Sequence, residues 1–88
     1  MTVSELLQIN SILKIDDNVF SLWPPNEYHS HPVLTLKSKY GFRRFKVTNV
    51  DADLFDLQQR AIIIDEALCN TPVADEFKRF VGIEFIPL

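Results

Sequence analysis

The 88-residue sequence predicts an α+β fold. It reads as one small domain, 1–88, with an antiparallel sheet built from two β-hairpins (12–23 and 33–48) plus a C-terminal strand, and helices packed on one face. Three observations carry this reading. Residues 33–48 alternate apolar and basic side chains around a glycine, which is the pattern of a hairpin with one buried face. Residues 52–69 place Leu54, Leu57, Ala61, Ile64 and Leu68 at three- and four-residue steps, which is the helical period. The apolar content of 47% is enough for a core and argues against disorder.

Thr2-Val3-Ser4-Glu5 fits a capping box, so a short helix of about two turns is expected through Gln8. Leu6, Leu7 and Ile9 anchor it, and Asn10-Ser11 ends it. Residues 12–23 read as the first hairpin, with a loop at Asp17-Asn18. That loop pairs Ile15 with Phe20 and Leu13 with Leu22, all on one face. Ile12, Lys14, Ser21 and Trp23 share the other face, where Ile12 and Trp23 are expected beneath the N-terminal helix. Pro24-Pro25 stops the strand, because neither residue donates to a ladder. The loop 26–32 follows and carries both histidines.

The second hairpin turns at Tyr40-Gly41, where glycine accepts a positive φ. That loop sets Lys39 opposite Phe42, Lys37 opposite Arg44, Leu36 opposite Phe45 and Leu34 opposite Val47. The apolar set faces the core. Thr35, Lys37, Lys39, Arg44, Lys46 and Thr48 face water as a basic surface. Like charges directly opposite are destabilising, so Lys37 and Arg44 carry a local penalty.

Asp51 is the expected N-cap of the long helix 52–69, with Val50 and Phe55 as a hydrophobic staple. Three consecutive isoleucines, Ile62–Ile64, leave a second reading open: a helix ending near Arg60, with a buried strand at 61–65. Asn70 closes the helix. Thr71-Pro72 opens another, with Val73, Phe77, Phe80 and Val81 as its apolar stripe and Gly82 as its stop. Residues 83–88 form the last strand, and Pro87 places it at a sheet edge or leaving the sheet.

The chain carries a net charge of −3, unevenly distributed. Residues 1–50 hold six Lys/Arg against four acids, and residues 51–88 hold three against eight. The molecule is therefore electrically two-sided. Asp51, Asp53, Asp56, Asp65, Glu66, Asp75 and Glu76 are expected mostly on exposed helix surface. No run of 18 apolar residues spans a membrane, and the N-terminus lacks a basic-then-apolar leader. One cysteine, Cys69, leaves no internal disulfide, and the cytoplasm is the expected compartment.

Chemistry finds little purchase. His29, His31 and Cys69 form the only metal-like set, without CxxC or HExxH spacing, and read as two loop histidines and a free thiol. Asp51, Asp53 and Asp56 read as helix N-terminal carboxylates that complement the dipole. There is no GxSxG and no glycine-rich phosphate loop. No catalytic residue, metal site or cofactor is expected.

Binding remains. The expected function is a non-enzymatic protein-binding module, an inhibitor or adaptor of a nucleic-acid-handling complex. The parallel with small regulators of phages and mobile elements is one of size and charge only. The alternatives are direct nucleic-acid binding through the basic hairpin 35–46 and a metal-dependent enzyme. The candidate binding residues are Lys37, Lys39, Tyr40, Phe42, Arg43, Arg44, Lys46, Asp53 and Asp56. The expected partner is a protein, such as a nucleic-acid enzyme or complex, with nucleic acid itself as the other option and no membrane. A two-sided charge is also compatible with a homo-oligomer. Trp23, Tyr28 and the histidine loop are the next surface to consider.

Overall fold

A computed structural model describes residues 1–7, 17–28, 30–70 and 79–86, together with the backbone of 12–15. The chain runs α1 (Val3–Leu6), β1 (Ile12–Ile15), β2 (Asn18–Trp23), β3 (Val33–Ser38), β4 (Gly41–Val47), α2 (Leu54–Asn70), β5 (Arg79–Phe80) and β6 (Ile83–Ile86). The strands form one antiparallel sheet in the order β1-β2-β3-β4-β6-β5. The fold is α+β, built from the two expected hairpins and a C-terminal strand.

One face of the sheet makes the core. Phe20, Leu22, Leu34, Leu36, Phe45, Val47 and Ile83 bury against Val3 and Leu6 of α1 and Leu54, Leu57, Ala61 and Ile64 of α2. Phe45 and Phe85 pair across β4 and β6 with ring centroids 5.9 Å apart, tilted by 59°. Phe45 is fully buried and Phe85 partly so, and rings of this size dominate the energetics of so small a core.

Both hairpins pair two residues out of the expected register. Ser38 opposes Gly41, so Leu34 faces Phe45, Thr35 faces Arg44, Leu36 faces Arg43 and Lys37 faces Phe42. Likewise Ile15 opposes Asn18, Leu13 opposes Phe20 and Ile12 opposes Ser21. Sheet faces have a period of two, so a two-residue slip preserves every inside–outside assignment while changing every partner. Lys37 and Arg44 are therefore not directly opposed but diagonal neighbours on the same face. In the second hairpin the turn is Lys39-Tyr40, and Gly41, with φ of +115°, becomes the first residue of β4.

The helix over 61–65 is confirmed, and the strand reading of the three isoleucines is excluded: α2 runs unbroken through Asn70. Its start differs from the expectation. Asp53, not Asp51, caps it, since Asp53 Oδ2 accepts from the Asp56 backbone N–H at 3.2 Å. The Asp51 N–H donates instead to Asn49 Oδ1 at 3.0 Å. Val50 and Phe55 are exposed, so the staple does not form.

The capping box at Thr2 and Glu5 is present, but α1 is a single turn. It is held because the N-terminal residues lie along the β4–α2 connection. Ser4 N–H donates to the Val50 carbonyl at 3.0 Å, and Leu54 N–H donates to the Met1 carbonyl at 2.8 Å.

At the C-terminal end, Phe80 lies in a strand, not a helix. Arg79–Phe80 pairs with β6 through Phe80↔Ile83 and Arg79↔Glu84. The expected third helix, running from Thr71-Pro72 to Val81, is thus not continued at 79–81, and its first part, 71–78, lies outside the described residues, as do Gln8, Ile9 and Pro87. β6 is not an edge strand, since β4 and β5 flank it. Gly82 makes the tight turn between β5 and β6 with φ of +98°, and a Cβ there would stand 2.7 Å from Leu57 Cδ2.

Candidate functional site

The sheet has a second face that α1 and α2, the described helices, do not cover. Strand pairing places Ser21 and Trp23, Val33, Thr35 and Lys37, Phe42, Arg44 and Lys46, and Glu84 and Ile86 on it. Three of the four candidate lysine and arginine residues of β3 and β4 stand there, with Phe42 beside them.

At its centre is a groove of about 280 Å³. Trp23, Phe42 and Ile86 wall it, with Asn26, Thr35 and Arg44 as its polar members. Trp23 is 57% exposed and Phe42 49% exposed, although both sit on a sheet. The Trp23 indole Nε1–H reaches diagonally to Thr35 Oγ1 at 3.4 Å, and that hydroxyl donates to the Ser21 carbonyl at 3.3 Å. This relay lays the indole across the neighbouring strand instead of letting it project. Trp23 is thus not covered by the N-terminal helix, which packs on the other face.

Arg44 supplies the charge in the groove. Its Nε is buried and, among the described residues, has no hydrogen-bond partner. Because that N–H is buried, a ligand in the groove would meet the rest of the guanidinium fork and not Nε. A second hollow, of about 290 Å³, continues the groove past Val33 and Ile86 to Lys46, His31 and the 82%-exposed Tyr28.

Arg43 faces the opposite way. It lies on the helix side of β4 and donates from Nε to Asp65 Oδ1 at 2.9 Å. Asp65, 2% exposed, also accepts from Ser38 Oγ at 2.6 Å. Arg43 Nη2 reaches Cys69 Sγ at 3.1 Å. The hydrogen bond to Asp65 raises the Arg43 pKa despite partial burial. Asp65 therefore ties the hairpin tip to α2 and is not the exposed carboxylate expected of it.

The remaining candidates fall in two further places. Lys39 and Tyr40 form the hairpin turn, with Lys39 Nζ 5.1 Å above the Tyr40 ring. They border a hollow toward Asp17, Ile62, Asp65 and Glu66, on the helix side. Asp53 and Asp56 stand at the start of α2. Asp53 takes the chain's α-amino group at 3.2 Å, and Asp56 pairs with Arg60 one turn on at 2.9 Å. Arg60 Nη1 also donates to the Val81 carbonyl at 2.6 Å, fastening α2 to the β5–β6 turn. These two carboxylates have internal work and are remote in the fold from the groove.

Four candidates thus converge on the open face: Lys37, Phe42, Arg44 and Lys46. Trp23, Thr35 and Ile86 complete the groove and were not among them. The alternation in 18–23 already placed Trp23 on the face opposite Phe20 and Leu22. Its exposure depended on where α1 packs, which no local pattern records.

Among the described residues no group of three or more His, Cys, Asp or Glu side chains is placed to hold a metal ion. Among them, too, no helix is long and apolar enough to cross a membrane. No protein family, curated protein or solved structure matches the chain.

Proposed function

We propose that this protein is a non-enzymatic binding module that acts in a nucleic-acid-handling complex, as an inhibitor or adaptor, through the open face of its sheet. The observation that carries the reading is the groove in which half-exposed Trp23 and Phe42 flank Arg44. Large aromatic rings beside an arginine are the residue types that dominate binding energy at interfaces. Lys37 and Lys46 on the same face add a positive field toward an anionic partner, which speeds encounter.

The chain's one tryptophan reports on the site directly. Trp23 emission is followed while single-stranded oligonucleotide, duplex DNA or polyglutamate is added to wild type and to the double variant Lys37→Thr, Arg44→Thr. At least one polyanion should shift the emission of wild type. The double variant should lose tenfold or more in affinity without a fall in Tm. Silence toward every polyanion, or equal binding by the variant, would overturn the reading.

A further inference from the structure

We infer that the ligand of the open face is a single-stranded nucleic acid, with bases stacked on Trp23 and Phe42 and a phosphate held by Arg44; this rests on the open face being the binding surface. Three features of the groove select that chemistry. First, the Trp23 indole N–H is already spent on Thr35 Oγ1. What the ring still offers a ligand is its flat π surface, and it is 57% exposed. Nucleobases use such a surface and carboxylates do not. A duplex keeps its bases stacked inside and reaches the groove only with its backbone.

Second, Arg44 lies between the rings. Trp23 and Phe42 are separated by two strand spacings and four residues of strand, on the order of 15 Å at the backbone. That span suits two bases splayed apart with their linking backbone over Arg44. Arg44 lines the groove, and its guanidinium fork is the group a phosphate would engage.

Third, the charge is complementary and local. Lys37, Arg44 and Lys46 share the face, and the acid facing it on β6, Glu84, sits opposite Lys46 and 3.9 Å from Arg79. Asp53 and Asp56, at the start of α2, lie on the covered side of the sheet, away from the groove. Tyr28, 82% exposed beside Lys46 and His31, offers the next ring along the same strand path.

The test is a titration followed by Trp23 emission. It uses mixed-sequence single strands of about ten nucleotides, DNA and RNA in separate arms, against the matching duplex and polyglutamate. Single strands should quench Trp23 and bind at least tenfold tighter than duplex at equal phosphate. The salt slope should fall near −0.7 for each phosphate neutralised. Phe42→Leu should weaken single-strand binding by roughly fivefold to a hundredfold while leaving the weak polyglutamate response unchanged. Arg44→Gln should weaken binding and flatten the salt slope by about one phosphate's worth. Both substitutions are on the solvated face, and an unchanged melting profile certifies the fold. Tighter binding of duplex or polyglutamate overturns the single-strand inference and leaves the open-face reading standing. So does an unaltered affinity in Phe42→Leu. A Trp23 signal that no polyanion moves overturns both.

Discussion

Arg43 and Arg44 are adjacent in sequence and differ in everything that matters physically. Arg43 points to the helix and neutralises Asp65, which is 2% exposed. Removing one member of a buried pair leaves the other uncompensated, so Arg43→Ala should cost about 3–5 kcal/mol. Arg44→Gln, on the open face with an unpaired Nε, should change stability by no more than about 0.5 kcal/mol. Urea unfolding of the two variants checks this, and equal losses would mean the two side chains had been assigned to the wrong faces. The N-terminal carboxylates set a pH dependence. Glu5 is held below the usual carboxylate range by the Thr2 backbone N–H and then the Thr2 hydroxyl. Asp53 is held down by the α-amino group and then the Asp56 backbone N–H. A depressed folded pKa means stabilisation that is complete above the ordinary carboxylate value and lost as pH falls through the lower one. On the acid side the amides of residues 2–6 should therefore loosen only below about pH 4, seen by NMR, and amides that loosen already between about pH 6 and 5 would contradict the assignment.

The elements show what was readable in the sequence and what was not. Inside and outside were readable, because alternation in the strands and the 3.6-residue period in α2 report burial directly. Register was not. Tyr40-Gly41 looked like the turn because glycine tolerates positive φ, yet Lys39-Tyr40 turns and Gly41 takes its φ of +115° just afterwards. A slip of two keeps Leu34, Leu36, Phe45 and Val47 inside either way, so hydrophobic pattern gave no vote. What it changes is the neighbour of each charge: Arg44 faces Thr35 and not Lys37, whereas Arg43 shares the face of Phe45 and Val47 in either register. The buried Gln58 and Asp65 were equally invisible, since polar residues on a helix read as solvent-facing. The Asp65 carboxylate needed Ser38 and Arg43, 27 and 22 residues away, to make its burial tolerable. Phe45 gives the element-scale prediction. It is fully buried and packs on Phe85, so Phe45→Ala should cost about 3–5 kcal/mol and, in a domain this small, bring it near unfolding at 37 °C. Calorimetric melting like that of the parent would refute the packing described.

At the scale of the molecule, the sheet divides labour between its faces. The covered face holds α1, α2 and the Arg43–Asp65 pair, and its carboxylates serve the fold: Asp53 caps, Asp56 holds Arg60, Asp65 holds the hairpin. The open face keeps Trp23, Phe42 and Arg44 in a groove that the fold does not need filled. Exposed rings are a cost to a small protein that binding would relieve. The most direct measurement is a map of backbone amide and indole N–H chemical shifts as a single-stranded oligonucleotide is added to the wild-type protein. The largest changes should fall at the Trp23 indole, Thr35, Phe42, Arg44 and Ile86, with α2 nearly still. Changes centred instead on Asp53–Asp56 and the exposed side of α2, with the Trp23 indole unmoved, would contradict the account.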